Sequence, residues 1–424
     1  MKKCRIINPL QSQHFQEKIV RSLMKKPTVR LAAIFGSVSA VSIPQIDSGI
    51  GVVSPDTEAP SLTLLPQDDG SACLDGSPYG VYFQKSATKS TKWTIFLQGG
   101  GWCYDEAGCL ERSKGSLGSS TQFAETKGCG CMNLKDDASP DDLSPLDDEC
   151  NCLYLPYGDG ASFSGYLAEP LEMPGTEEKI YFRGIRNLYA GLAFAKENGF
   201  DDATDVVVTG DSAGGLSTFL HTDKIAAMTE AQVIGAPVVG YFLDHDDYNH
   251  TDANYTAQMK YIYSMQNLTF GSDGYSGLTP ACQEAFGDDS PHYCFMSPHM
   301  HPYISTPYYV FNSRFDSWQL NSELLHKDTW DNDDEKEAVL QYGEDFLEQF
   351  EPGHVEDWSI NGGFITTCVC HGCPWPNLFL EGLNSYQHYR NWVVGETGGK
   401  DSYQIDRRPP NGNGTLTING CDAF

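Results

Sequence analysis

Short apolar runs along the chain predict β-strands. They lie at residues 93–97, at 206–209, within "AQVIGAPVVGYFL" (231–243) and within "TPYYVFNSRFDSW" (306–318). Runs of this kind are typical of strands that are buried on both faces. The pattern therefore favours a parallel sheet covered by other elements.

Amphipathic stretches separate these runs and predict helices. In "YFRGIRNLYAGLAFAKENGF" (181–200), Ile185, Leu188, Leu192 and Ala195 share one helical face, and Gly199 ends the helix. Strands that alternate with helices indicate the α/β class, with a mostly parallel sheet and helices on both faces. No internal repeat is visible.

The first 40 residues differ from the rest of the chain. They hold eight Lys and Arg residues against Glu17, and the short apolar stretch "LAAIFGSVSAVS" follows near Ala40. This stretch of about a dozen residues is shorter than the roughly 20 that span a bilayer. We interpret residues 1–40 as a secretory signal, with a bipartite organelle signal or a short anchor as alternatives, and predict no stable membrane span.

The remaining chain is predicted to form one catalytic domain with two insertions. One insertion is acidic and rich in cysteine, and the other is rich in Tyr, His and Asp. Such excursions from a sheet often border an active site, and a role without any part in the site is the equally common alternative. The predicted segments are a linker at 41–61, the domain at 62–408 with insertions at about 124–152 and 242–304, and a C-terminal tail at 409–424.

Charge and cysteine content restrict the possible partners. Without residues 1–40, 20 basic residues face 56 acidic ones, a formal charge of −36. This balance disfavours nucleic acid and, overall, polyanionic substrates. Fourteen cysteines behind a signal segment indicate disulfides and a secreted or secretory-pathway location. Four Asn-x-Thr sequons are possible glycosylation sites: Asn249, Asn254, Asn267 and Asn413.

The stretch "VVVTGDSAGG" (206–215) fits the G-x-S-x-G pattern around Ser212. The pattern alone is common by chance, but here a buried strand precedes it and a helix of small residues follows. On such a strand-to-helix turn the serine hydroxyl points out above the sheet, and the Ala213 N–H lies at a helix N-terminus. We therefore predict that Ser212 is a nucleophile and that Ala213 donates to an oxyanion.

A glycine turn and a Ser, Asp, His order complete the expected site. "LQGGGWC" (97–103) predicts Gly100 and Gly101 as further oxyanion donors. Asp316 follows an apolar strand, where the acid of such a site belongs. Of the four later histidines, His371 follows a strand-like segment beside three cysteines and is the preferred base. His354 is second, and His326 and His388 lie in polar helical patterns typical of solvated side chains.

Zinc binding is the competing interpretation of the cysteines around His371. Cys368, Cys370, His371 and Cys373 are suitable ligand types, with help from Cys129, Cys131, Cys150 or Cys152. The C-x-C spacing and the oxidising compartment favour disulfides instead. The sequence therefore predicts no metal and no cofactor.

Together these segments resemble the pectin acetylesterase and Notum-type carboxylesterases of the α/β-hydrolase superfamily, nearer to the plant pectin acetylesterases. The similar segments, spread in order over residues 62–395, are "CLDGSPYGVYF", "FLQGGGWC", "CLERSKGSLGSS", "YGDGASFSG", "TGDSAGGLS", "NSRFDSWQL" and "GGFITTCVCHGC". The resemblance implies an α/β-hydrolase fold and serine ester hydrolysis. It places Ser212, Asp316 and His371 at triad positions and Gly100, Gly101 and Ala213 at oxyanion positions.

The chain departs from the plant enzymes at several positions. They have Cys where this chain has Gly158 and Asp211, and their His-Cys-Gln is replaced by "HGCP" (371–374). We expect a deacetylase of an acylated cell-wall or extracellular polysaccharide. The alternatives are a Notum-like lipid-acyl protein esterase, and a non-catalytic, Cys-rich extracellular binding protein on a hydrolase fold.

Overall fold

A computed structural model describes residues 51–52, 58–251, 254–268, 276–327, 329–354 and 360–408. The predicted signal segment 1–40 and tail 409–424 lie outside the described residues, and the segment boundaries stay predictions. Among the described residues, no helix is both long and apolar enough to cross a membrane.

The core of the protein is a nine-stranded sheet with the order β1-β2-β4-β3-β7-β8-β9-β10-β13. The strands from β4 across to β13 are parallel to their neighbours, whereas β1 and β2 are antiparallel. The strands of this sheet are β1 Leu62–Leu64, β2 Gly80–Gln84, β3 Lys92–Leu97, β4 Asn151–Leu155, β7 Asp205–Asp211, β8 Gln232–Val238, β9 Tyr309–Phe315, β10 Gly362–Val369 and β13 Tyr403–Ile405. Two small antiparallel pairs are β5 Leu171–Glu172 with β6 Lys179–Ile180, and β11 Phe379–Leu380 with β12 Leu383–Asn384.

Helices connect the strands. The α-helices are α1 Glu106–Arg112, α2 Gly184–Glu197, α3 Ala213–Ala226, α4 Tyr255–Met265, α5 Pro280–Phe286, α6 Ser297–Met300, α7 Ser317–Gln319, α8 Asp333–His354 and α9 Ser385–Val393. A π-helical turn, Leu320–Leu324, follows α7. Short 3₁₀ helices lie at Ser120–Gln122, Phe200–Asp202, Pro291–Phe295, His301–Tyr303, Trp375–Asn377 and Gly399–Ser402.

Both faces of the sheet are buried. Val206 and Val208 of β7 pack into a large cluster that includes residues of α2, α3 and α8, while Val207 packs into a second cluster with Tyr386 and Tyr389 of α9. Successive side chains of a strand point to opposite faces, so helices cover both sides of the sheet. The predicted α/β class is confirmed.

The predicted elements agree with the observed ones within a few residues. The helix expected around Ile185 is α2, and Gly199 follows it with a φ of +103°. The insertion predicted at about 124–152 overlaps β4 by two residues, since Asn151 and Cys152 already pair in the sheet. The strands with which β4 pairs, β2 and β3, lie far from it in sequence.

Disulfides close several loops around the sheet. The pairs are Cys103 with Cys109, Cys129 with Cys152, Cys131 with Cys150, Cys282 with Cys294, and Cys370 with Cys373, and Cys368 is also disulfide-bonded. The Cys129–Cys152 pair fastens the acidic segment to β4, and the Cys131–Cys150 pair fastens it to the residue directly before that strand. The expectation of a disulfide-rich chain is confirmed.

Cys73 is a free, buried thiol that faces Gly158. A Cβ added at Gly158 would lie 3.7 Å from the Cβ of Cys73, within the usual range for a disulfide. We expect the new thiol of Gly158→Cys to form a disulfide with Cys73 and to stabilise the fold by about 2–4 kcal/mol. Thermal unfolding, together with peptide mapping without reduction, measures this outcome.

The new bond must form during folding, because burial raises the pKa of the Cys73 thiol to about 12 and leaves little reactive thiolate afterwards. The matched control is Gly158→Cys combined with Cys73→Ala, which carries the new thiol without a partner. Equal melting temperatures for the single and double variants would contradict the prediction.

Candidate active site

The carboxyl ends of four strands, β3, β7, β9 and β10, lie at one edge of the sheet. The chain runs from β3 to β4 on one side and returns to β7 on the other side of β3. Ligand sites of open α/β sheets lie at such a reversal, outside the carboxyl ends of the strands. The glycine turn follows β3, Ser212 follows β7, Asp316 follows β9, and His371 is the second residue after the end of β10.

Ser212 lies on a strained turn between β7 and α3. Its φ is +58° and its ψ is −126°, values that a residue with a side chain seldom adopts. The backbone N–H of Ser212 donates to the carbonyl of Val238 at 3.0 Å, and the Ser212 hydroxyl caps no helix N–H. Contacts with the surrounding structure therefore maintain the strained backbone of Ser212, and its hydroxyl is not used as a helix cap.

Close backbone contacts explain the glycines on either side of Ser212. A Cβ at Gly214 would lie 2.0 Å from the Leu97 carbonyl oxygen, and one at Gly210 would lie 2.4 Å from the same atom. Both contacts are far inside van der Waals distance. Only glycine lets the start of α3 approach the end of β3 this closely.

The glycine turn lies beside Ser212 because Leu97 is opposite Gly210 in the sheet. Gly100 and Gly101 have positive φ values of +137° and +63°. Among the described residues, the N–H groups of Gly100, Gly101 and Ala213 have no hydrogen-bond acceptor. These are donors of the kind that an oxyanion hole requires.

Arg112 of α1 orients the glycine turn. Its Nη2 donates to the Gly100 carbonyl at 2.8 Å and its Nε to the Leu117 carbonyl at 3.1 Å. In a trans peptide the N–H points opposite to the C=O, so this contact turns the Gly101 N–H away from Arg112. Arg112 could not be found from sequence motifs, since a partly buried arginine in "CLERSKG" carries no local signal for this role.

A buried serine links the glycine turn to α3. Ser162 Oγ accepts from Trp102 Nε1 at 2.9 Å and donates to the Ala213 carbonyl at 2.9 Å. Ser162 and Phe163 both have positive φ, which marks a second strained turn. The resemblance pointed to this region through "YGDGASFSG", but gave no role to Ser162.

Asp316 and His371 are brought together by strand register. Phe315 of β9 is opposite Val369 of β10, so the residues that follow them emerge side by side. His371 Nδ1 lies 2.7 Å from Asp316 Oδ2. The second oxygen, Asp316 Oδ1, accepts from the Gln319 N–H at 3.0 Å at the start of α7. The carboxylate is buried and both of its oxygens are engaged.

Burial and charge act in opposite directions on His371. Burial of the ring lowers its pKa, but the charge of Asp316, their hydrogen bond and the charge of Asp211 outweigh this effect and raise the pKa above its usual value. Asp211 directly precedes Ser212, so the pKa of His371 also depends on a charge in the turn that carries Ser212.

The other histidines after Asp316 have different surroundings. His326 Nε2 contacts Asp247 Oδ2 at 3.1 Å. His354 ends α8, and its side chain lies outside the described part of the chain. The expectation that His388 is solvated is wrong: it is 6% exposed, and its Nε2 contacts the Leu380 carbonyl at 2.9 Å. The polar pattern of α9 hides the fact that this helix packs on β10.

The disulfides contradict the zinc interpretation. Each of its proposed cysteine ligands is disulfide-bonded, and thiolates are the form that binds zinc. Across the residues that the structure describes, no group of three metal-ligating side chains occurs. The Cys370–Cys373 bond instead closes a small loop around His371.

An aromatic cluster lies next to His371. The Trp318 ring is 6.1 Å from the His371 ring, 5.6 Å from Trp102 and 5.5 Å from Phe242, between ring centroids. Tyr255 of α4 packs against Trp102 at 5.8 Å. Phe242 and Tyr255 belong to the predicted insertion 242–304, so this segment contributes to the surroundings of the site.

The chain is similar in sequence to several known proteins. The family model described as pectinacetylesterase matches residues 54–387. Pectin acetylesterase 11 of Arabidopsis thaliana is 28% identical over 71% of this chain and 76% of its own length. The palmitoleoyl-protein carboxylesterase NOTUM of Homo sapiens is 27% identical over 60% of this chain and 50% of its own length.

The solved structures include a similar fold. The Wnt deacylase Notum from Drosophila superposes with a TM-score of 0.67 at 21% identity, and the match covers 83% of this chain and 97% of that chain. At this identity the likeness concerns the fold. It agrees with the mostly parallel sheet and its helices.

Proposed function

The chain belongs to the pectinacetylesterase family, and on that premise we propose that it is a serine carboxylic-ester hydrolase that removes acetyl groups from an extracellular or cell-wall polysaccharide. The observation that carries the proposal is the strained turn of Ser212 at the same sheet edge as the Asp316–His371 pair. Ser212, Asp316 and His371 are the proposed catalytic residues.

His371 is the proposed general base. Its contact with Asp316 places a proton on Nδ1, which leaves Nε2 as the acceptor for the Ser212 proton. Ser212 Oγ then bonds to the ester carbonyl carbon, and the carbonyl π electrons move to its oxygen. When the alcohol leaves, it takes the proton back from Nε2. Water repeats the sequence on the acyl-enzyme and releases the acid.

The oxyanion formed in each half of the reaction requires donors that are already in place. Ala213, Gly100 and Gly101 supply N–H groups that have no acceptor among the described residues. Preorganised donors of this type stabilise the developing charge without reorganisation at the moment of reaction. Arg112 and Ser162 are positioning residues. Arg112 holds the peptide that carries the Gly101 N–H, and Ser162 holds the Ala213 carbonyl at the start of α3.

The aromatic cluster supports a short acyl group. Trp102, Phe242 and Tyr255 are each at most 5% exposed, and their rings pack against one another or against Trp318. These packed rings fill the space beside His371. An acetyl group needs far less space there than a long lipid chain.

A panel of esters from acetyl to long-chain acyl groups tests the proposal, run beside acetylated pectin, xylan and other acetylated polysaccharides. We expect the highest kcat/KM for acetyl esters. A preference for eight or more carbons would favour a Notum-like lipid-acyl esterase instead. Labelling of Ser212 by a fluorophosphonate probe, absent in Ser212→Ala, excludes a non-catalytic binding protein.

Secretion is part of the proposal. The disulfides favour an oxidising compartment. Of the predicted glycosylation sites, Asn249 is exposed, whereas Asn254 donates to Asp246 and Asn267 to the Tyr166 carbonyl. Asn413 lies outside the described residues. We propose Asn249 as the most accessible of the described sites, which glycopeptide mapping of the secreted protein measures.

A further inference from the structure

Asp211, the residue before the nucleophile, places a partly exposed carboxylate in the candidate active site. It is the last residue of β7, and its Oδ1 accepts from the Gly99 N–H at 3.3 Å. The side chain thus spans from the nucleophile turn to the glycine turn. No step of the proposed reaction uses this carboxylate.

We propose that Asp211 is a specificity residue that favours acetyl esters of uncharged sugars over acetyl esters of uronic acids. The inference rests on the proposed ester hydrolysis and names its substrate class. Because Asp211 directly precedes Ser212 and reaches the glycine turn, the inference places the alcohol part of a bound ester near this carboxylate, where a second carboxylate is repelled. Like charges brought together in a partly desolvated site cost more than they do in bulk water.

The charged groups around His371 are negative, like Asp211 itself. The groups whose charge acts on His371 are Asp316 and Asp211, both acidic. Burial, together with the charge of Asp316, raises the pKa of Glu323 well above its usual value, which favours its neutral form. Arg112 keeps its positive charge while it donates to the carbonyls of Gly100 and Leu117, but it is not among the groups whose charge acts on His371. The charges that act on His371 are therefore both negative, and neither neutralises an anionic alcohol part.

Asp211→Asn is the informative variant, because asparagine keeps an oxygen for the Gly99 N–H and removes only the charge. The control is Asp202→Asn, which changes net charge equally at an exposed position. Asp202 lies beyond the opposite end of β7, roughly 20 Å away at the usual rise of a strand. A general effect of the acidic surface would appear in both variants.

The first measurement compares kcat/KM for an acetylated neutral hexoside and for the matching uronic acid. In the unmodified protein we expect the neutral ester to be preferred about 3- to 10-fold at low salt, with the preference falling in about 0.5 M NaCl because salt screens exposed charges. Asp211→Asn should bring the ratio close to one, and Asp202→Asn should leave it unchanged. An unchanged ratio in Asp211→Asn overturns the inference.

The second measurement is the pH dependence of fluorophosphonate labelling at Ser212, which requires no ester turnover. Neutral His371 is the active form, and the charge of Asp211 helps to raise its pKa. Removing that charge should move the acid limb of the profile to lower pH in Asp211→Asn and not in Asp202→Asn. An acid limb that does not move also overturns the inference. Labelling without hydrolysis of any acetyl ester would refute the proposed function alone.

Discussion

Replacing Ser212 with alanine is expected to lower kcat for a small acetate ester by about 10⁴-fold or more. The turn at Ser212 holds a positive φ that serves no purpose in the sheet itself, and the hydroxyl is not used as a helix cap. Removing Oγ removes the atom that would form the acyl-enzyme. Steady-state kinetics with a chromogenic acetate ester measures this loss, and the unfolding temperature reports whether the fold is retained.

Ser264→Ala is the matched control for this variant. Ser264 lies on the exposed side of α4, where its hydroxyl contacts the carbonyl of Lys260 at 3.2 Å within the same helix. It should hydrolyse the ester at the rate of the unmodified protein. Full activity in Ser212→Ala would remove the serine mechanism and leave the strained turn without a chemical explanation.

Asp316→Asn is expected to lower kcat by about 10³- to 10⁴-fold while the protein stays folded. An asparagine oxygen can still accept from the Gln319 N–H at the start of α7, so the local cap is retained. The asparagine amide would donate to His371 Nδ1. This contact favours the tautomer with the proton on Nε2, which cannot accept the proton of Ser212.

The pH profile adds a second readout for Asp316→Asn. The carboxylate raises the pKa of His371, so its loss should move the acid limb of the residual activity to lower pH. Asp345→Asn is the control, since it changes a similar contact of 2.9 Å to His245 outside the site. A loss of the same size in both variants would show that general destabilisation, rather than the histidine, explains the effect.

Local sequence was sufficient to predict the turn that carries Ser212. A buried strand, G-x-S-x-G and a helix of small residues all lie within about twenty consecutive positions, and their steric requirements are local. The contacts of Gly214 and Gly210 with the Leu97 carbonyl supply the reason that the glycines are there. The α/β class followed equally from the continuous apolar runs that burial of both sheet faces requires and from the amphipathic stretches between them.

Local sequence was a poor guide wherever burial depends on distant partners. His388 was expected in solvent because its neighbours are polar, yet α9 packs it beside Phe364 of β10. The predicted acidic insertion extended over the first two residues of β4, whose partners in β2 and β3 lie far away along the chain. Arg112 and Ser162 hold the glycine turn through contacts that no local pattern encodes.

The sequence by itself determined the class of fold, the strained serine, the order of the candidate Ser, Asp and His, and a strongly acidic chain rich in cysteine. Tertiary structure decided which side chains meet. Asp316 contacts His371 because Phe315 lies opposite Val369 in the sheet, and a shift of register would separate them. It also placed Asp211 against the glycine turn, since strand pairing depends on long-range burial that local composition does not specify.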